Sequence, residues 1–458
     1  MDAIYTLAKA IVNTNYEKLP TDVVEITKKQ ILDSLGVGLA GSGGAGVNKL
    51  VEIVKDWGGK KESRVWVYGD KLPCLTTAQV NATMIHAMDF DDTHDACVLH
   101  PSAAVVPTGF AIAERLGGID GKKLITGVAL GVDFVSRLCL ATTVPMVERG
   151  WHFTALHGGF GAAAVAGKLL ELDEETLVNA FGIAYHQAGG NILCIDDGAM
   201  TKRAGPGFSA RNGIMAALMA QKGITGGKNV LEGPHGLFNV YHRGDYNPEV
   251  LTANLGEKFE GINVSFKPYP CCRYSHPAID AVLALVREHN FKAEDVDNVT
   301  ILVGRSCWDL LCQPLSIKQN PMNIVDSQFS LPWAVACAIA HSKVGIADFT
   351  TQAIRDSAVL ALSNKVMPKL DEGLSQKGIE VTTVKIETKD GEVYSKRVGI
   401  SYGNPRNPMS MDAIVAKFRD CASFAAKPVS QKNVEKLIRL VCQLETVSDV
   451  GQIIRLLV

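Results

Sequence analysis

The hydrophobic pattern of the first 264 residues is mostly helical. Residues 20–36 predict a helix whose apolar positions fall near one face, with Gly36 at its end. A second helix is predicted over 172–185, where Asp173 can accept hydrogen bonds from the free N–H groups of the first turn. Ala- and Gly-rich runs at 158–167 and 210–220 are typical of helices that pack closely.

The pattern changes near residue 265. Val299–Val303 reads as a strand, and two alternating runs, 379–386 and 392–398, flank Lys389-Asp390-Gly391, which predicts a hairpin. Further helices are predicted over 277–288, 330–341, 411–420 and 432–442. We therefore predict a mostly α protein with a smaller α+β lid domain: residues 1–264 and 403–458 form the large helical domain, and residues 265–402 form the lid.

Composition excludes several classes of protein. Apolar residues make up 47% of the 458 residues and charged residues 21%, which are ordinary globular values. The net charge of −2, with no basic stripe, argues against nucleic-acid binding. Eleven scattered cysteines without a C-x-x-C pair favour a reducing, cytoplasmic location. We expect no signal peptide and no apolar run long enough to span a membrane.

One motif is misleading. Residues 41–46 match G-x-G-x-x-G, which binds dinucleotides only between a strand and a helix. Here the preceding residues predict a helix, so we expect no NAD site.

The densest polar cluster lies between His86 and His100, where five of the seven residues from Asp89 to Asp95 are Asp or His. Three interpretations are open. The cluster could be an exposed acidic turn between two helices. It could supply a metal-dependent phosphohydrolase with the ligands His86, His94 and Asp95. It could instead carry metal-free acid–base chemistry, in which Asp orients a His that moves a proton.

Three further clusters have both functional and ordinary structural explanations. Residues 150–161 contain His152 and His157 before an Ala/Gly helix and suit an anionic group, or simply pack. Residues 199–212 contain Lys202 in a Gly-rich turn, which suits a carboxylate or a base, or is a surface turn. Residues 267–276 contain Cys272, Arg273 and His276, where Arg273 is a natural carboxylate anchor and the thiols are more commonly structural.

In this order, the four clusters resemble the MmgE/PrpD family. The matching segments are HAMDFDDTHD (86–95), HPSAAVVP (100–107), GWHFT (150–154), GFGAAAVAGKLL (159–170), TKRAGPGFSARNG (201–213), KPYPCCRYSHP (267–277) and GNPRNPMS (403–410). The family includes 2-methylcitrate dehydratase, cis-aconitate decarboxylase and iminodisuccinate epimerase. The resemblance implies a large helical domain built from both chain ends, a smaller lid, a homodimer, and no metal or organic cofactor.

The resemblance also implies roles for individual residues. It points to Asp89, Thr93, His100, His152 and Lys202. In the decarboxylase branch a His stands where Cys272 aligns, and the loop from Thr93 to His100 is one residue longer here, so both departures argue against decarboxylation.

We assign these residues as follows. His100 and His152 transfer protons, and Asp89 orients a His. Lys202 and Arg273 hold substrate carboxylates, with Lys202 as a candidate base, and Thr93 hydrogen-bonds a carboxylate. The remaining predicted substrate contacts are His157, Cys272 and His276.

The favoured activity is a metal-independent hydro-lyase acting on a 2-methylcitrate-like tricarboxylate. An iminodisuccinate-type epimerase is the main alternative, followed by cis-aconitate decarboxylation. A metal-dependent phosphohydrolase and a polycarboxylate-binding protein without turnover are the alternatives from other classes.

Overall fold

Two units organise the chain in the computed structural model, which describes residues 1–376 and 378–458. The first unit contains Met1–Asn191, Arg203–Val264 and Ser410–Val458. The second contains Ile192–Lys202 and Ser265–Met409. The chain therefore passes from one unit to the other four times. These units differ from the predicted domain bounds in two stretches, Ile192–Lys202 and 403–409, which group with the second unit.

The first unit is built from helices. They are α1 (Ala3–Asn13), α2 (Thr21–Gly41), α3 (Val47–Trp57), α4 (Cys74–His86), α5 (Ser102–Arg115), α6 (Gly121–Ala141), α7 (Met146–Arg149), α8 (Phe153–Leu169), α9 (Glu174–His186), α11 (Thr201–Gln221, whose first two residues belong to the second unit), α12 (Leu237–His242), α13 (Glu249–Thr252), α20 (Met411–Ser423), α21 (Gln431–Cys442) and α22 (Gly451–Arg455). A two-stranded antiparallel ribbon joins β1 (Ser63–Arg64) to β2 (Lys71–Leu72).

The second unit combines helices with a sheet. Its helices are α10 (Leu193–Asp196), α14 (His276–His289), α15 (Arg305–Cys307), α16 (Leu315–Gln319), α17 (Ile324–Gln328), α18 (Leu331–His341) and α19 (Ser357–Ser363). Its strands are β3 (Val296–Val303), β4 (Val366–Leu370), β5 (Thr382–Thr388) and β6 (Val393–Val398), in the order β4-β3-β5-β6. A mostly helical fold with a smaller α+β part is therefore confirmed.

Helix α2 begins where the sequence predicts but continues past Gly36 to Gly41. Gly36 lies inside the helix, where its lack of a side chain allows close packing. A Cβ at this position would lie 2.9 Å from Cδ2 of Phe418, on α20. The residue that suggested a stop instead lets a C-terminal helix approach α2 closely.

Small residues also bring the core helices α6 and α8 together. A Cβ on Gly131 would lie 3.1 Å from the carbonyl oxygen of Gly161, and a Cβ on Gly161 would lie 3.2 Å from that of Gly131. By length and composition alone, helix α6 is apolar and long enough to cross a membrane. In the structure 94% of its most apolar stretch is buried, so it is a core helix that packs on α5 and α8.

The hairpin predicted around Asp390-Gly391 is confirmed. Strands β5 and β6 pair antiparallel, and Gly391 has a φ of +91°, which glycine adopts without a Cβ clash. Strand β4 was not predicted. It pairs parallel to β3 at the edge of the sheet, where Pro368 can be tolerated because the outer side needs no N–H donor.

The G-x-G-x-x-G segment follows helix α2 and not a strand, as predicted. Gly46 adopts a φ of +84° directly before α3. The segment therefore lacks the strand that a dinucleotide site requires.

Gly41 fixes the approach of α2 to the end of α4, the helix that ends at His86. A Cβ on Gly41 would lie 1.8 Å from the carbonyl oxygen of Met84, so Gly41→Ala forces backbone to move. We expect a lower melting temperature, from a cost of about 1–3 kcal/mol or more for overpacking. Thermal unfolding of Gly41→Ala should be compared with that of Gly227→Ala, whose Cβ would meet nothing within 4 Å. Equal melting temperatures for the two variants would contradict this packing argument.

Candidate active site

The polar segment between α4 and α5 is buried. Asp89, Asp91, Asp92 and Thr93 are each at most 1% exposed. This burial rules out the interpretation of an exposed acidic turn. Burying a carboxylate without partners costs free energy of folding, so each of these side chains is expected to have specific contacts.

Asp91 joins two histidines. Its Oδ2 lies 2.8 Å from Nδ1 of His86 and 3.4 Å from Nδ1 of His100. A carboxylate accepts, so His86 donates through Nδ1–H. His100 Nδ1 also lies 2.8 Å from the carbonyl oxygen of Asp92, which can only accept. Both rings therefore hold a proton on Nδ1, and in the neutral form Nε2 is the basic atom of each.

Thr93 and Thr154 hold the backbone and ring of His100. The hydroxyl of Thr93 lies 3.3 Å from Nδ1 of His100, and the hydroxyl of Thr154 accepts from the His100 N–H at 3.1 Å. These bonds orient the ring. Thr93, predicted to bind a carboxylate, thus also contacts the predicted proton-transfer residue.

Three imidazoles form a connected group. The ring of His86 lies 4.8 Å from that of His100 and 5.7 Å from that of His152, centre to centre. His152 directly precedes α8, and Gly205 of α11 leaves room for it, since a Cβ on Gly205 would lie 3.3 Å from Nδ1 of His152. The structure therefore brings together His100 and His152, the predicted proton-transfer pair, through His86, which the sequence named only as a possible metal ligand.

Asp89 belongs to the same group. Ligand atoms of His86, Asp89 and His100 all lie within 4.8 Å of one another, and this is the set that could hold a cation among the residues that the structure describes. Asp89 has a φ of +50°, an uncommon backbone conformation for a residue with a side chain. Burial lowers the pKa of the Arg203 guanidinium, and the negative charge of Asp89 offsets part of that shift by raising it.

His94, from the alternative phosphohydrolase set, is engaged elsewhere. Its Nε2 lies 3.7 Å from a carboxylate oxygen of Glu260. Burial opposes the charge of His94, but Cys97 and Glu260 outweigh it and raise its pKa to about 10, while the interaction with His94 is the largest cause that lowers the pKa of Glu260 to about 2. His94 is therefore a charged structural partner, and the set His86, His94 and Asp95 has no support from this geometry.

Asp92 links the segment to the start of α5. Its carboxyl accepts from the N–H of Ser102 at 3.3 Å and from the Ser102 hydroxyl. Burial, with the nearby charges of Asp33 and Asp91, raises the pKa of Asp92 to about 8. Asp92 therefore holds its proton at neutral pH much more than an ordinary Asp does.

The C-terminal helix α20 also supports this segment. Lys417 Nζ lies 2.7 Å from Asp33 Oδ1, donates to the carbonyl oxygen of Phe90 at 2.7 Å, and sits 3.8 Å from the centre of the Phe90 ring. All three contacts are buried. A residue more than 320 positions along the chain thus fixes the backbone just before Asp91.

His157 has a different environment from the one predicted. It is 0% exposed, and its Nε2 lies 3.2 Å from Nε2 of His242, beside the ring of Phe153. Burial, with His242 as a second cause, lowers the pKa of His157 well below its usual value. The structure therefore places His157 as a buried, neutral neighbour of His242, and its role as a substrate contact stays a prediction.

Lys202 belongs to the second unit. Its side chain is 4% exposed, which excludes a surface basic turn, and its Nζ lies 4.9 Å from the centre of the Phe329 ring. The carbonyl oxygen of Phe329 accepts from Lys318 Nζ at 2.9 Å. Two buried lysines therefore contact this one residue.

Arg273 and His276 also lie in the second unit and contact each other. Arg273 Nη1 lies 3.1 Å from Nδ1 of His276 and donates to the carbonyl oxygen of Tyr402 at 3.0 Å. Nε2 of His276 lies 3.2 Å from the carbonyl oxygen of Cys271, so this nitrogen donates and Nδ1 accepts from Arg273. Both nitrogens of His276 are used internally. His276 therefore holds Arg273 in place through this contact, and its role as a direct substrate contact stays a prediction.

Cys272 is 5% exposed and directly precedes the helical turn that contains Arg273. Its N–H donates to the carbonyl oxygen of Gln328 at 2.9 Å. Its role in binding substrate stays a prediction.

The sequence analysis named His86 only as a possible metal ligand and gave Asp91 no role, although both lie in the dense cluster. The only hint in the sequence is that Asp91 stands five residues after His86, the last residue of α4. This spacing does not say which of the four Asp residues between positions 89 and 95 contacts His86.

The pKa of Asp92 predicts how stability changes with pH. Between about pH 4 and pH 8 the folded protein keeps a proton that the unfolded chain has lost, so stability from this group falls as pH rises through that range. Asp92→Asn removes the ionisation while keeping an acceptor for Ser102. The melting temperature of the variant relative to the parent should rise from pH 5 to pH 8. Asp56→Asn, at an exposed position, should show a constant difference. A constant difference for Asp92→Asn as well would refute the assignment.

Comparisons with known proteins cover nearly the whole chain. The model of the MmgE/PrpD N-terminal domain matches residues 5–249, and that of the MmgE/PrpD C-terminal domain matches residues 269–443. Cis-aconitate decarboxylase of Aspergillus terreus is 27% identical over 97% of this chain and 94% of its own length. The enzymes of that name from Mus musculus and Homo sapiens are 28% and 29% identical, over 96% and 99% of this chain and 90% and 94% of their own lengths. These relatives support a lyase role at the level of the family. The chain belongs to the MmgE/PrpD family.

Proposed function

We propose that the protein is a lyase that acts on a small polycarboxylate by proton transfer at a carbon next to a carboxylate. Loss of water from a 2-methylcitrate-like tricarboxylate is the first candidate. The supporting observation is the buried imidazole group. The Nδ1–H of His86 and that of His100 are committed to acceptors, so Nε2 of each ring is the atom that exchanges protons.

In the dehydration, one His takes the proton from carbon, and the electrons of the broken C–H bond form the carbon–carbon double bond. The C–O bond breaks, and the hydroxyl leaves as water with a proton from a second His. His100 and His152 are the proposed pair. Asp91 stabilises the imidazolium that forms on a ring bonded to it, as a carboxylate does for a catalytic His.

A proton on a carbon next to a carboxylate is weakly acidic. Its removal builds negative charge that the enzyme must stabilise in the transition state. Lys202 and Arg273 are the proposed carboxylate ligands. Arg273 is suited to this role because Tyr402 and His276 hold its guanidinium in place.

Decarboxylation is the second candidate, and the relatives named cis-aconitate decarboxylase favour it. In that reaction the bond from carbon to a carboxylate breaks, CO2 leaves, and a His delivers a proton to the carbon that keeps the electrons. Cys272 argues against it, because a His stands there in the decarboxylase branch. An epimerase, which removes a proton and returns it to the other face, uses the same groups.

The proposal includes a cytoplasmic homodimer that needs no cofactor. Metal dependence is a separate hypothesis, since His86, Asp89 and His100 converge. Under the proposal, activity survives dialysis against a chelator. Loss of activity that returns on adding a stoichiometric divalent ion would favour the metal-dependent class.

The reaction can be identified by proton NMR in D2O with 2-methylcitrate, citrate, cis-aconitate and iminodisuccinate. We expect new vinyl signals from a citrate, which identify the hydro-lyase. Itaconate formed from cis-aconitate would identify the decarboxylase. Deuterium entering iminodisuccinate without loss of water would identify the epimerase. Absence of change with all four acids would contradict the proposed substrate class.

Lys202→Met tests the proposed carboxylate ligand and candidate base. We expect turnover to fall about 100-fold, the scale of general acid–base work. Lys222→Met is the matched control because Lys222 is exposed just beyond the end of the same helix. Steady-state rates for both variants, on the substrate found by NMR, provide the measurement. Turnover of Lys202→Met within about threefold of the parent would remove Lys202 from the mechanism.

A further inference from the structure

Gln328, the last residue of α17, carries a buried donor with no partner in the described protein. Its side chain is 4% exposed, and its Nε2 is shielded from solvent without a hydrogen bond. Such a group costs free energy in the folded protein, so native structures rarely keep one without a reason. A bound ligand is one reason, because it supplies the missing acceptor.

The neighbours of Gln328 indicate which ligand. Its own carbonyl oxygen accepts from the N–H of Cys272. The next residue, Phe329, lies under the ammonium of Lys202 and accepts from Lys318 at 2.9 Å. The end of α17 therefore lies beside two buried cations and the turn that begins at Cys272.

The carboxylate on α17 itself does not explain the donor. Asp326 Oδ2 accepts from Nδ2 of Asn323 at 2.8 Å and from the N–H of Met322 at 3.1 Å. It is occupied by the turn that begins its own helix. An acceptor for Gln328 must therefore come from outside these groups, and the nearby ammonium groups of Lys202 and Lys318 favour an anionic one.

We propose that the side-chain amide of Gln328 donates a hydrogen bond to a substrate carboxylate and thereby helps select polycarboxylates. The inference rests on the proposed function and adds a binding residue to it. The amide is neutral and recognises the carboxylate by hydrogen bonding alone. The positive charges of Lys202 and Lys318 then offset the negative charges of two neighbouring carboxylates of one substrate.

A nearby glutamine provides the contrast. Gln319, at the end of α16, is also buried, but its Nε2 donates to the carbonyl oxygens of Val366 and Asn364 at 3.0 and 3.3 Å. Its amide is used to hold the protein together. Replacing each glutamine by Met, which keeps length and removes the amide, separates a binding role from a structural one.

The test measures melting temperature without substrate and steady-state kinetics with the acid found by NMR. For Gln328→Met we expect KM to rise about 10- to 100-fold, the scale of a hydrogen bond to a charged group, with an unchanged or higher melting temperature. Gln328→Glu should raise KM further by repelling the carboxylate. Gln319→Met should lower the melting temperature and leave KM within about twofold.

The outcomes separate failure of the inference about Gln328 from failure of the proposed function. If the parent protein turns over a polycarboxylate but Gln328→Met keeps the parent KM, the inference fails and the proposed function stands. A clear loss of melting temperature in Gln328→Met also overturns it, because the amide would then be paired within the protein. If the parent protein neither binds nor turns over any polycarboxylate, the proposed function itself fails and this inference with it.

Discussion

Burying carboxylates is the constraint on which the rest of the first unit depends. The segment between α4 and α5 places Asp89, Asp91 and Asp92 inside the protein, where each needs compensation. Asp91 is matched by His86 and Asp92 by Ser102. These partners come from the end of α4 and the start of α5, so the position of the two helices fixes the compensation.

The same compensation gives the site its chemistry. An imidazole that donates through Nδ1 to a fixed acceptor has a defined orientation and a defined basic atom. Rotating His100 away would cost its bond to the carbonyl oxygen of Asp92, so the ring is preorganised before any substrate arrives. In the second unit Arg273 is preorganised in the same way by Tyr402 and His276.

Much of the fold was predictable from the sequence, because local signals agreed with the final packing. The cap at Asp173 and the Asp390-Gly391 turn are set within a few residues, and both are confirmed. Gly36 was wrongly predicted as a helix end and β4 was not predicted, because both depend on distant partners: Phe418 for the glycine and β3 for the strand.

For the site, the motifs located the right segments but not every side chain. Three pairings depend on the angles at which side chains leave a single turn of the backbone. They are Asp91 with two histidines, His157 with His242, and His276 with Arg273. The spacing of residues along the chain does not encode those angles. The unused amide of Gln328 could not be seen from the sequence at all, because it is defined by the absence of a neighbouring acceptor among the described residues.

The close approach of Gly36 to Phe418 has a consequence for how the protein is made. A ribosome that adds about 5–20 residues per second needs roughly 20–80 s to travel from one residue to the other. During that time α2 is synthesised without the helix that covers it, and the chain has passed through the second unit and back. The newly made polypeptide therefore presents an apolar surface on α2 until residues 410–458 emerge. Molecular chaperones would act on that surface, and truncation before Met411 would leave it exposed permanently.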